Sequence, residues 1–241
     1  LALFIFEVFS GNWVWEQVWF TLPLSLLGYA GIAFFYRGLQ SGKVGVVVPV
    51  ATSYVWISTL LAVFLWSETL TWVQLVGILT IFAGTILISA NFSDWRKSVL
   101  FDVKSGIPFA LITSLIWGVW FFYLKVPVSH LGPYLAALLI EGGIALWSGI
   151  HLLIRPQRMP LMDGKFLRTM IPLGLAGAAG AIFFNLGVEV GSVSVIVALA
   201  SCAPLVSTLY GRLFYGEKLS MQQYLAILLM IMGIFFVAKI L

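Results

Sequence analysis

Residues 67–74 read Ser-Glu-Thr-Leu-Thr-Trp-Val-Gln, and residues 216–223 read Gly-Glu-Lys-Leu-Ser-Met-Gln-Gln. The two octets lie 149 residues apart, and outward from them at that offset the chain matches itself without a gap. Pro23–Ile88 lies over Pro172–Val237 with 23 identities in 66 positions. They include Pro23/Pro172, Gly28/Gly177, Gly31/Gly180, Gly38/Gly187, Gly42/Gly191, Ser58/Ser207, Thr59/Thr208, Glu68/Glu217 and Gly84/Gly233. Shared hydrophobicity would align aliphatic residues. It would not align glycines, prolines and a glutamate, so the chain carries two copies of one structural unit.

The unit is built for lipid. Of 241 residues 61% are hydrophobic and 9% charged, against about 25% charged in soluble domains. The mean hydropathy is +1.07. The formal charge of +4 sits between apolar runs, where it speaks of orientation in a bilayer rather than of nucleic acid. The single cysteine, Cys202, excludes an internal disulfide framework. Eight stretches supply the roughly 20 apolar residues a helix needs to cross the hydrocarbon: 18–36, 44–66, 71–90, 106–124, 133–154, 169–186, 193–214 and 221–241. Runs of this length pair their backbone groups as helices rather than barrel strands. The expected fold is therefore an all-α membrane protein. The first copy covers 1–91, a connecting loop 92–105 and the second copy 106–241.

Between Gly38 and Gly187 lie five spans, an odd number, so equivalent points face opposite sides of the membrane. The turn Arg37–Lys43 has two cations where 186–192 has only Glu189, and the turn at Glu68 has none where its equivalent has Arg212 and Lys218. Two inverted copies are the usual construction of an alternating-access carrier. Spans 106–124 and 133–154 map to positions before or barely overlapping Leu1. Leu1–Phe9 then reads as the tail of a further span, with no signal-peptide pattern, and ten helices are expected in an intact pair of five-helix units.

The stretches Ser67-Glu68-Thr69-Leu70-Thr71…Gln74 and Gly216-Glu217-Lys218-Leu219-Ser220…Gln223 resemble the Gly-Glu-x-Leu-[Ser/Thr]-x-x-Gln ends of EamA-type repeats, of the drug/metabolite transporter superfamily. Trp117-Gly118…Lys125, followed by Gly132-Pro133-Tyr134, is similar to the opening helix of such a repeat. The resemblance covers nearly the whole chain. It implies a ten-helix plasma-membrane carrier of small metabolites whose cavity is lined by the first, third and fourth helices of each half. Glu141 departs from the pattern, standing roughly where the family's second helix often has an arginine.

Candidate residues follow from what is polar or irregular within the spans. Glu141 is the only acid well inside one, and a mid-membrane carboxylate costs several kcal/mol unless protonated or paired. It reads either as a proton-coupling or substrate-amine site or as a structural carboxyl paired with Lys125. Pro49 and Pro204 interrupt matched spans, freeing a carbonyl and kinking the helix. Such breaks often flank transporter sites. Thr52-Ser53 matches Ser201-Cys202, and Tyr36 matches Asn185. These positions suit a cavity on the pseudo-two-fold axis as well as helix–helix packing. Trp117, Trp120 and Tyr123 share one helical face on which an organic substrate or cation could stack. Trp13, Trp15 and Trp19 read as an interfacial belt. Glu68 and Glu217 read as caps of the helices that follow them, and His130 and His151 as structural or interfacial.

Eleven of the thirteen Lys/Arg fall on one side (Arg37, Lys43, Arg96, Lys97, Lys104, Arg155, Arg158, Lys165, Arg168, Arg212 and Lys218), with Lys125 and Lys239 on the other. The positive-inside rule puts the C-terminus outside, whereas the resemblance puts it inside. No Walker loop, metal cluster, nucleophile–base pair or filter loop stands out. The expectation is a secondary carrier of small organic solutes without a cofactor. Its partners are a small-molecule substrate and the bilayer, with a homodimer left open and no nucleic acid. An intramembrane enzyme or a non-transporting scaffold is the alternative.

Overall fold

The computed structural model describes residues 13–89, 103–155, 163–214, 216 and 218–238. Leu1–Phe9, most of the 92–105 loop, Arg96, Lys97, Arg158, Glu217 and Lys239 lie outside the described residues. The described residues form, in order, α1 (Trp15–Ser41), α2 (Val44–Ala51), α3 (Tyr54–Leu65), α4 (Trp72–Ser89), α5 (Ile107–Tyr123), α6 (Lys125–Leu131), α7 (Pro133–Ile154), α8 (Gly164–Val190), α9 (Val193–Ala200), α10 (Ala203–Phe214) and α11 (Met221–Ala238). They compose eight stretches long and apolar enough to cross a membrane. Trp15 and Trp19 are exposed at the start of α1.

The 149-residue offset is reproduced to the residue. α1 and α8 have 27 residues each, α2 and α9 have 8, α3 and α10 have 12, and α4 and α11 have 18; all four pairs start and stop at equivalent positions. Two expectations are refined. Spans 44–66 and 193–214 are each two helices in series, and the span beginning at 106 continues beyond 124 through α6 to Leu131. Gly132, at φ 83, then turns the chain and Pro133 opens α7. A positive φ suits glycine, and proline loses nothing at a helix's first position.

Contacts divide the chain into two units that each draw on both copies. The first holds residues up to Tyr29 and Tyr123–Gly191. There α7 lies on the early turns of α1: Gly143 leaves no room for a Cβ beside Ser25, Trp147 Nε1 donates to Leu22 O at 3.2 Å, and Tyr29 is hydrogen-bonded to His151 Nδ1. The expectation of a structural role for His151 is met by that bond. α8 packs on α6 and α7.

The second unit holds Ala30–Phe122 and Ser192–Leu241, and its spine is the pair α4–α11. A Cβ on Gly84 would lie 3.0 Å from Ala226 O and 3.1 Å from Met230 N, and one on Gly233 would lie 2.8 Å from both Gly77 O and Ile81 N. Gly84/Gly233, Gly77/Ala226 and Ile81/Met230 are equivalent pairs, so each contact is answered by its mate. As residue number rises along α4 it falls along α11, so equivalent helices run antiparallel. The inverted repeat is thus legible in atomic contacts. In lipid, such small residues let backbones approach closely enough for dispersion to hold them.

Candidate functional site

Both serial spans break at the same place. Thr52 and Ser53 separate α2 from α3, and Ser201 and Cys202 separate α9 from α10. At each break the ladder tightens to i→i−3: Ser53 N bonds Val50 O at 3.2 Å and Trp56 N bonds Ser53 O at 3.1 Å, while Cys202 N bonds Leu199 O at 3.0 Å and Leu205 N bonds Cys202 O at 2.9 Å. Side chains satisfy the displaced carbonyls. Thr52 Oγ1 donates to Pro49 O at 2.9 Å, Ser53 Oγ to Val50 O at 2.7 Å, and Ser201 Oγ to Ala198 O at 2.7 Å. Cys202 Sγ lies 3.8 Å from Ala198 O. Pro49 lies before its break and Pro204 after the other, at positions that are not equivalent. The shared feature is the pair of small polar side chains, which compete with the backbone for its carbonyls.

Around the first break the second unit gathers an aromatic wall. Ser53 Oγ meets Ser114 Oγ at 2.7 Å. One turn on, Trp117 stands edge-on to Tyr54 with centroids 5.9 Å apart, lies 5.2 Å from Phe35 and fills the space left by Gly31. Phe121 stacks on Tyr54 at 4.8 Å and meets Trp120 at the same distance. Trp120 Nε1 is buried with no hydrogen-bond partner among the described residues. Thr52, Ser53 and Trp117 therefore lie together around the α2–α3 break, and Trp120 stands behind Phe121. Ser201 is tied to α4, where Thr85 Oγ1 donates to its carbonyl at 3.3 Å.

The other candidates lie apart from that wall. Tyr36 is exposed near the end of α1. Asn185 is buried in the first unit and donates to Pro133 O at 3.0 Å, fastening α8 to the start of α7. Glu141 is exposed on α7 in that same unit, and no ion pair joins it to Lys125 among the described residues. Ser114, Tyr54 and Phe121 are partners that the sequence reading passed over. Ser114 is three residues before Trp117 and Phe121 four after it, so both were legible as its helical face.

An open groove of about 520 Å³ is lined by Val44, Val48, Ile88, Ser89, Ala203, Pro204 and Thr208. The equivalent positions are Val193, Val197, Val237, Ala238, Tyr54, Val55 and Thr59. All but Ala238 are buried, and Val193 is 0% exposed where Val44 is 63%. α5 roofs this sealed set through Trp117 and Phe121 on Tyr54. Thr59 Oγ1 is sealed in with no partner among the described residues, while its mate Thr208 faces the groove.

The octets of the opening divide their labour. Thr71 N donates to Gln74 Oε1 at 3.0 Å and Gln74 N to Thr71 Oγ1 at 3.3 Å. Ser220 and Gln223 do the same at 2.9 and 3.3 Å. These are reciprocal capping boxes on α4 and α11. Glu68, expected to cap the helix that follows it, reaches a distant helix start. Its Oε1 accepts from Val193 N at 2.7 Å, and its Oε2 from Ser194 N at 3.2 Å and Ser194 Oγ at 2.8 Å, all at the start of α9 in the other copy.

A family model for EamA-like transporters matches residues 1–90 and again residues 104–239. An uncharacterized protein of Methanocaldococcus jannaschii is 25% identical over 133 residues, which span 55% of this chain and 95% of that relative. That relative is thus about as long as one repeat. A solved crystal structure is similar in fold, with a TM-score of 0.73 and 22% identity over 92% of this chain and 76% of that one. Matched over both copies, and with eight apolar spans among the described residues, the chain belongs to the EamA-like transporter family, as a multi-pass membrane transporter.

Proposed function

We propose that the chain is a secondary carrier of small organic solutes that works by alternating access in the plasma membrane. The observation that carries this reading is the contrast between equivalent positions, one set lining a groove and the other sealed. An inverted repeat can exchange those two conformations between its halves. The groove's volume lies in the range that takes up small organic ligands, and its wall is apolar with hydroxyls from Ser89 and Thr208. Thr59 supports the exchange, because a buried hydroxyl without a partner is costly and gains one when its side opens. In this reading the solute moves along the wall between the two breaks, past Thr52, Ser53, Trp117, Trp120, Ser201 and Cys202, with Tyr36 near the end of α1. Pro49 and Pro204 stand beside the breaks, and Pro204 lines the groove.

The test is reconstitution into liposomes with a panel of amino acids, other metabolites and cationic drugs. Saturable uptake that is accelerated by unlabelled solute on the far side is expected, and flux linear in concentration across the whole panel overturns the carrier. Proton coupling is assigned to Glu141, the mid-span carboxyl. A pH gradient should drive uptake in the parent and not in Glu141→Gln.

A further inference from the structure

We propose that Glu68 is the latch of the sealed side, a carboxylate that holds the two repeats together there and must let go for that side to open. The inference rests on the alternating-access reading and assigns its gate a residue. Glu68 follows α3 in the first repeat, and it accepts from Val193 N, Ser194 N and Ser194 Oγ in the first turn of α9 in the second. A cap that served only its own helix would be indifferent to movement between repeats. This one is stretched by it.

The position is where a latch must be. Val193 is the first residue of α9 and a member of the sealed set, 0% exposed, and Val197 lies one turn further in at 0%. Opening that side has to carry the start of α9 away from the α3–α4 turn. Hydrogen bonds from backbone N–H groups to a carboxylate are about twice as strong as neutral ones, and the helix's N-terminal partial charge adds to them. When the bonds break, water can take over the carboxylate and both N–H groups, so the latch is reversible. α4 does not need Glu68, because Thr71 and Gln74 already cap it.

Paired single cysteines in a Cys202→Ala background test the latch. Val197→Cys reports the sealed side and Val48→Cys, its equivalent, the groove. Each is labelled with a membrane-impermeant maleimide applied to both faces of proteoliposomes, with Glu68 intact or changed to Gln. Glu68→Gln should speed labelling at Val197→Cys about tenfold, the smallest effect expected from weakening bonds to a charged group, and slow it at Val48→Cys. Ser194→Ala, which removes one donor and leaves the carboxylate, should act in the same direction by less, and it replaces Glu68→Gln if that variant does not fold. Faster labelling at Val197→Cys with no change at Val48→Cys would keep the latch and overturn alternating access. Unchanged labelling at Val197→Cys, even with a lower thermal midpoint, would reduce Glu68 to a cap and overturn the latch.

Discussion

Two regions of the second unit treat the internal symmetry in opposite ways. Along the α4–α11 seam, the contacts of Gly84 with Ala226 and Met230 are repeated by Gly233 with Gly77 and Ile81, at nearly the same distances. Around the broken spans, equivalent residues differ as sharply as Val44 and Val193 do. The seam is symmetric because two equivalent faces packed on each other have one best fit, and a stiff contact has no reason to depart from it. The broken spans are asymmetric although their breaks are not. A seam that stays put while flanking elements take two forms is what a carrier with fixed and moving parts needs.

The largest effect should come from forcing a side chain into the seam. Gly233→Leu would drive atoms into Gly77 O and the backbone of Ile81. Overpacking costs about 1–3 kcal/mol, occasionally more, and here the obstacle is backbone that no rotamer can avoid. The variant should fail to give monodisperse protein in size-exclusion chromatography. Gly142→Leu, at a position with nothing within 4 Å, should chromatograph like the parent. If both behave alike, the seam is not the fixed part.

The next effect addresses the sealed set. Trp117 fills the space over Gly31 and stands against Tyr54 and Phe35, so Trp117→Ala leaves a cavity in the roof. Such truncations cost about 3–5 kcal/mol when fully buried, and half-buried Trp117 should lose less. Thermal denaturation should show a lowered midpoint, and a cysteine at Val197 should become reactive on the sealed side. A lowered midpoint with Val197→Cys still unreactive would place the seal below the ring.

Much of the symmetric region was legible in the sequence, and little of the asymmetric one. Glycine identities such as Gly84/Gly233 announced both the repeat and its close contact, because only a glycine permits that approach. The spans were legible from length and apolarity alone. The breaks were not, since Val44–Leu65 reads as one apolar run and Thr52-Ser53 differs little from any helical hydroxyl pair; Pro49 and Pro204 pointed to the region but not to its common feature. The groove was hidden for a deeper reason. Equivalent positions carry similar residues, Val44 and Val193 or Thr59 and Thr208, so no pattern could say which set opens. Glu68 was seen as a cap, but its partner lies 125 positions on, beyond any local motif.

A smaller effect separates the break from its proline. Since Ala198 stands where Pro49 does and Val55 where Pro204 does, each span breaks without the other's proline. Pro204→Ala should therefore insert and fold normally while altering the groove wall. Flux should fall several-fold, as expected for a wall residue rather than for loss of the break, with circular dichroism unchanged. Unaltered flux would remove Pro204 from the path.

Asn185→Ala should give the smallest change, and it bears on whether the first unit works with the breaks or merely holds its own helices. The amide donates to Pro133 O at 3.0 Å and is 4% exposed. A carbonyl oxygen has two lone pairs, so Pro133 O can take this bond beside its place in the ladder of α7, and the bond pins two helices. Interhelical hydrogen bonds in membrane bundles are worth about 0.6 kcal/mol on average and up to about 1.7. The thermal midpoint should drop by an amount in that range, with a modest fall in flux that follows the folded fraction. If flux instead falls well beyond the loss of folded protein, Asn185 acts on the solute or on the movement of α8. The asymmetry at the breaks would then extend along the helix whose mate, α1, exposes Tyr36 at the same position.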